Sequence, residues 1–416
     1  MIAIKAGMVI DGTGNSPLKD AVILIDEEKI TQVGPAGVVV IPPDAQVIDA
    51  LDRTVMPGMI DCHVHVQGKG GPPDGGSWGL AAVTELLETT TLHSYVHAKQ
   101  DLAAGFTTVR DVSARGYAAV ALRDAINNGL VKGPRMRACG QGLCITGGHM
   151  DRTPWRPGVT IADRTGVADS PSEFRRVTRY QIKMGADCIK INICSGAHAD
   201  RRKPEPVWQE MTFEEMKAVC DEAHKAYLRV AAHSSGGQGI TDSVLAGVDS
   251  LEHANWITDE QVELMAEHGT FLVPTLIVNY KGLEIGKEVM RATDEAWAWR
   301  KRTNEAMWRA LERARRAGVK IAVGTDAGWL VRHGENAREL EMLVKGGMSS
   351  MEAILAATSV AADLLDMADL VGSIEPEKYA DLLIIDGDPL QNVSILQEPE
   401  RIKVVMKGGE VAVQRD

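Results

Sequence analysis

No apolar run in the 416-residue chain is long enough to span a bilayer, a task that takes about 20 residues, so no transmembrane helix is expected. The start, MIAIKAGMVIDGTG, lacks the succession of basic, apolar and small residues that marks a secretory signal, and a cytoplasmic protein is expected. An excess of positive charge is missing too. The formal net charge is −12, which argues against nucleic acid or an anionic membrane as the main partner and leaves a small-molecule substrate as the expected one. The six cysteines, Cys62, Cys139, Cys144, Cys188, Cys194 and Cys220, show no paired zinc-ribbon spacing, so buried thiols are the simpler expectation than disulfides. Solenoid repeats and low-complexity tails are absent as well.

What the chain does contain is an alternation of strand-like runs with amphipathic helical stretches, the pattern of parallel β/α units. Eight strands are predicted to end near His65, Asp111, Gly140, Ile193, His233, His253, Thr275 and Asp326. Helices are predicted over 237–246, 287–316 and 351–366. Length and a hydrophobic content of 44% suffice for one barrel of about 250 residues or more with a smaller domain beside it. The flanks, residues 1–56 and 371–416, carry short apolar runs such as AVILI (21–25) and DLLII (381–385), broken by turn residues. Periodicity alone does not say whether these two flanks pair.

Several predicted strands end in metal-ligand residue types. In MPGMIDCHVH (56–65), His63 and His65 are two residues apart, and side chains i and i+2 of a strand share a face, so both imidazoles can reach one cation. Imidazole suits a borderline cation such as zinc, although a His-x-His pair also serves as ordinary polar strand-end residues. Lys190 lies inside the apolar run DCIKINI (187–193), where an unpaired ammonium is costly. Such a lysine snorkels, pairs with an acid or loses its proton. Deprotonated, it can add carbon dioxide to give a carbamate whose two oxygens bridge two cations. His233, His253 and Asp326 end three further apolar runs, and it is the ordered set of six that points to a metal centre. Cys62 adjoins His63 and faces away from it in strand geometry, and Cys188 lies two residues before Lys190; neither is chosen as a ligand.

The chain resembles the amidohydrolase superfamily, and within it the imidazolonepropionase-related branch with binuclear zinc prolidases and Xaa-amino-acid carboxypeptidases. The resemblance rests on MPGMIDCHVH, GFTTVRD (105–111), TGGH (146–149), GADCIKI (185–191), EHAN (252–255), VPT (273–275), GTDAG (324–328) and YADLLIIDGDPL (379–390). It implies an α/β protein with a (β/α)8 TIM-like barrel over 57–370 and a small β-sandwich formed by 1–56 with 371–416. It further implies that His63, His65 and Asp326 hold one divalent ion, zinc by ligand type, and that His233 and His253 hold another. Carboxylated Lys190 (N6-carboxylysine) and a hydroxide bridge the two. The hydroxide attacks a carbonyl, and Asp326 takes its proton and passes it to the leaving nitrogen, a base that becomes an acid.

By the same resemblance the bond is an amide, most simply the peptide bond of a dipeptide or an N-acyl amino acid, and relatives of this kind self-associate. His149 is the candidate for a hydrogen bond to the carbonyl oxygen or a substrate carboxylate, with Arg152 and Arg156 as further carboxylate partners. A cyclic amide, carbamate or urea is the alternative substrate class, and a metal-free scaffold is the alternative to an enzyme. Ser234-Ser235-Gly236 stands where several relatives carry a tyrosine, which separates this chain from their mode of carboxylate recognition. His333 is a candidate for the pocket rim, Glu335 and Asn336 are expected to cap the following helix, and Trp78, Trp155, Trp256 and Trp329 either wall the substrate or pack loops on the barrel.

Overall fold

The computed structural model of the chain describes residues 1–73, 84–151, 166–194 and 209–416. Arg152, Arg156, Trp78 and Trp155 fall outside the described residues. In chain order the strands are β1 (Ile2–Val9), β2 (Leu18–Asp26), β3 (Lys29–Pro35), β4 (Gln46–Pro57), β5 (Met59–Val64), β6 (Phe106–Asp111), β7 (Arg135–Ala138), β8 (Cys188–Asn192), β9 (Arg229–Gly236), β10 (Ser250–Trp256), β11 (Phe271–Val273), β12 (Leu382–Ile385), β13 (Ile402–Lys407) and β14 (Glu410–Gln414).

The two chain ends meet in one mixed seven-stranded sheet of order β14-β13-β12-β4-β1-β2-β3. β4 makes the join. Its length lets one edge pair with β1 in parallel, Ile4 beside Ile48, while its last residues pair antiparallel with β12, Ile384 opposite Val55. Where two half-sheets of a sandwich were expected, hydrogen bonding therefore runs unbroken through β4. Ile4, Ile23, Ile25 and Val55 from the first flank share a buried cluster with Leu382, Ile384 and Val404 from the second. β-Branched residues dominate these strands because their stiff side chains pack well on a pleated surface. From this sheet the chain enters β5 at Gly58, where a Cβ would collide with the Thr107 side chain and only glycine fits.

The remaining strands are parallel, in a three-stranded sheet β5-β6-β7 and a four-stranded sheet β11-β10-β9-β8. Every residue of β5, β6, β8 and β11 is buried, the mark of parallel strands covered on both faces. Lone bridges continue the pairing beyond these sheets: Leu143 with Ile191, Leu272 with Ile321 and Val64 with Ala327. The Cys62 N–H also donates to the Val323 carbonyl at 2.8 Å. The eighth expected strand, ending at Asp326, is present only as the Ile321 and Ala327 bridges and the Val323 hydrogen bond. Left-handed backbone at Asp326 (φ 57°) takes the chain out of extended geometry there.

Two helices differ from expectation. The segment predicted over 287–316 is helical from Asp294, where the Thr293 hydroxyl caps the Ala296 N–H at 3.2 Å. The segment 351–366 forms two short helices, Ser350–Ala356 and Ser359–Leu364. Between them the carbonyls of Ala356 and Ala357 accept from Val323 and Ile60 rather than continuing the helix. The six cysteines are all buried, and none is in a disulfide. Among the described residues no helix is long and apolar enough to cross a membrane.

Candidate metal centre

β5 delivers His63 and His65 to the carboxyl end of the parallel strands, and Asp326 arrives there from the segment bridged to Val64. Asp326 Oδ1 lies 3.3 Å from His65 Nε2 and 3.7 Å from His63 Nε2. One donor atom from each of the three residues falls within 4.8 Å of the others. The other ring nitrogens are occupied: His63 Nδ1 lies 2.7 Å from Glu252 Oε2, and His65 Nδ1 lies 3.1 Å from the Ser113 carbonyl. With Nδ1 turned outward to these partners, both Nε2 atoms face Asp326, the arrangement by which outer groups orient a metal-binding histidine. Behind them Gly328 (φ 103°) runs so close to the His65 carbonyl that a Cβ would collide with it.

A second row of imidazoles continues from this group. The His253 ring centroid is 5.0 Å from that of His63 and 4.6 Å from that of His233, and His149 lies 3.9 Å from His233. His253 Nδ1 is held at 2.6 Å by the Thr275 hydroxyl. The structure thus brings His63, His65, Asp326, His253, His233 and His149 side by side, although His253 and His233 stand outside the tight three-residue group. Lys190 is buried on β8, near enough for its charge to lower the pKa values of His63, His65 and His253.

Burial governs the electrostatics. Desolvation holds His63 down to about 3 and His253 to about 4, keeping both rings in the neutral form that binds cations. Lys190 is also lowered, chiefly by burial, against the attraction of Glu252. Asp326 falls well below the carboxylate range: burial acts against this, but the His65 hydrogen bond and the neighbouring imidazoles prevail. His65 is raised, because Asp326 outweighs its burial. Imidazole nitrogens and a carboxylate oxygen around one point are a donor set that fits a divalent ion of the zinc type.

Sequence reasoning missed the groups behind the candidate ligands. Glu252 on β10 is fully buried between His63 and Arg110, whose Nη2 lies 2.8 Å from Glu252 Oε1, and Ser250 Oγ donates to the same oxygen at 2.6 Å. Asp61 is likewise buried, and burial raises it to about 7 while Thr325, Asn336 and the His63 N–H donate to it. EHAN and MPGMIDCHVH contain both acids, yet their roles depend on partners 142 and 264 positions away, respectively. His333 is not at a rim: its side chain is wholly buried, with Nδ1 2.8 Å from Asp101 Oδ2, and it stacks on His97 at 4.9 Å. Nor do Glu335 and Asn336 cap the next helix. Glu335 pairs with Lys281 at 2.9 Å, Asn336 donates to Asp61, and the helix Arg338–Lys345 starts after Ala337 with no side-chain cap. Ser234 is buried within β9, and the Ser235 N–H faces Cys194 Sγ at 2.9 Å. Trp256, at the end of β10, stacks on Trp299 of the helix Asp294–Arg316 at 5.1 Å, whereas Trp329 is exposed.

Histidines and an aspartate converging at the ends of parallel strands form the kind of site on which metal-assisted hydrolases are built. The chain belongs to the amidohydrolase family, whose profile matches residues 54–412. It is 31% identical over 430 residues to an ochratoxinase of Aspergillus niger, covering 98% of this chain and 86% of that protein. A Xaa-Pro dipeptidase solved with methionine in its active site superposes with a TM-score of 0.88 at 33% identity, over 99% of each chain. A prolidase complexed with N-methylphosphonate-L-proline gives a TM-score of 0.88 at 31% identity, over 100% of each chain. The protein is a hydrolytic enzyme of this family.

Proposed function

We propose that the protein hydrolyses an amide C–N bond, most simply the peptide bond of a dipeptide or an N-acyl amino acid. The observation that carries this reading is the His63, His65 and Asp326 group and its continuation through His253 and His233 to His149. Likeness to a dipeptidase and a prolidase supports the substrate class. In this reading residues 57–370 form a (β/α)8 barrel, supported by the bridges at Ile191, Ile321 and Ala327, and 1–56 with 371–416 form an accessory β domain.

His63, His65 and Asp326 would hold one divalent ion, and His233 and His253 a second, with carboxylated Lys190 between them. Zinc is the ion this donor chemistry favours. Bound there, the ions would polarise the scissile carbonyl and make water acidic enough to attack near neutral pH. Lys190 contributes because burial favours its neutral amine, which adds carbon dioxide and releases a proton to become a two-oxygen anion. Asp326 Oδ accepts a proton from the attacking water and returns it to the leaving nitrogen. His149 donates a hydrogen bond to the carbonyl oxygen or, with Arg152 and Arg156, to the substrate carboxylate. The reading places the enzyme in the cytoplasm as a homo-oligomer acting on a small molecule, with neither nucleic acid nor membrane as partner, in keeping with its net charge of −12.

Product analysis over a panel of dipeptides, N-acyl amino acids, cyclic amides, carbamates and ureas tests the assignment. Cleavage of the first two groups, lost when the free carboxylate is esterified, is the expected result. Turnover confined to the last three rejects the peptide reading, and turnover of none rejects the assignment as an amide hydrolase.

A further inference from the structure

Three side chains of one short segment, residues 333–339, reach separate parts of the centre. His333 Nε2 lies 3.3 Å from the His65 carbonyl. Asn336 Nδ2 donates to Asp61 Oδ2 at 2.8 Å, and Asp61 in turn accepts from the His63 N–H at 3.0 Å and from the Thr325 hydroxyl at 2.6 Å. The two carboxyl oxygens of Glu339 accept one backbone N–H each, from Leu276 and Ile277, both at 2.8 Å. Those amides follow Thr275, whose hydroxyl holds His253 Nδ1. Asn336, Asp61 and Glu339 are fully buried, so water does not compete for these bonds.

The backbone explains why such anchoring is needed. His253 (φ 68°), Thr275 (φ 46°) and Asp326 (φ 57°) all adopt left-handed geometry, which is costly for side chains with a Cβ and most costly for β-branched threonine. Conformations of this kind persist only where surrounding contacts over-determine them. Asp61 supplies these contacts next to Asp326, and Glu339 supplies them next to Thr275.

We infer that the 333–339 segment is a positioning device for both halves of the centre: Asn336 acts through Asp61 on His63 and Asp326, and Glu339 acts through Thr275 on His253. The inference rests on the two-cation reading above. A single loop-to-helix turn fixes the spacing between the two ligand sets, so each half has its own remote support.

Zinc titration of chelator-stripped protein against a competing chelator tests this without reference to turnover. His253→Gln and Asp326→Asn identify which binding step belongs to which half. Glu339→Gln and Thr275→Val should weaken the step that His253→Gln removes, and Asn336→Ala the step that Asp326→Asn removes, each by roughly tenfold to a hundredfold. Glu339→Gln combined with Thr275→Val should lose no more than the larger single change, because both break one chain of contacts. Equal weakening of both steps by each variant, additive losses in the double variant, or lowered melting temperatures with unchanged titrations overturn the inference. If Glu339→Gln does not fold, Thr275→Val decides the same link, since it removes one hydroxyl and no charge; an unchanged titration there counts against the proposal. Wild-type protein that binds no zinc defeats the underlying metal reading instead.

Discussion

Glu252 Oε2 lies 2.7 Å from His63 Nδ1, and its other oxygen lies 2.8 Å from Arg110 Nη2, so one buried carboxylate joins a guanidinium to a candidate ligand across the interior. Removing one partner of a buried pair leaves the other charge uncompensated, at a cost of about 3–5 kcal/mol. Glu252→Gln should therefore destabilise the fold by about that much in denaturant unfolding. Arg110→Met combined with Glu252→Gln should recover part of the loss, because no buried charge is stranded. A double variant less stable than the single would contradict the pairing.

His149 should behave differently from the candidate ligands. His149→Gln is expected to lower kcat/KM by about a hundredfold, the scale of one lost carbonyl-oxygen donor, while divalent-ion content stays unchanged. Loss of bound ion in this variant would make His149 a ligand and not a substrate contact.

Far from the site, Glu222 sits beneath Arg179, Arg175 and Lys225, with Arg179 Nε 2.9 Å away. Its pKa is lowered to about 2, first by the Arg179 hydrogen bond, with partial burial opposing and Arg175 and Lys225 adding to it. A depressed carboxylate stabilises the fold above its unfolded value near 4.5 and loses that contribution as pH falls toward 2. Glu222→Gln should lower stability at pH 7 by roughly 1 kcal/mol, since solvent screens such pairs, and the difference from wild type should shrink between about pH 4.5 and 2. A gap that widens on acidification would reverse the assigned sign.

The His63, His65 and Asp326 group was legible in the sequence because these residues close apolar runs, and strand ends converge in parallel architectures. The pairing of the chain ends became legible only through the family likeness, since nothing local in β4 or β12 announces a partner more than 300 positions away. Asn336 shows the opposite failure. Its place just before a helix reads as a cap, yet its amide turns inward to Asp61, because a buried acid needs donors. Glu252 and Glu339 were missed because a buried carboxylate looks like a surface one until its distant partners are known. The break between helices Ser350–Ala356 and Ser359–Leu364 was equally invisible, because the N–H groups that take the Ala356 and Ala357 carbonyls belong to the distant Val323 and Ile60.

Ion content of the Lys190→Ala variant tests the account most directly. Inductively coupled plasma analysis of wild-type protein after dialysis should give two divalent ions per chain, and the variant should fall toward one while hydrolysis collapses. A variant that keeps both ions and the full rate, or a wild type that holds none, would contradict it.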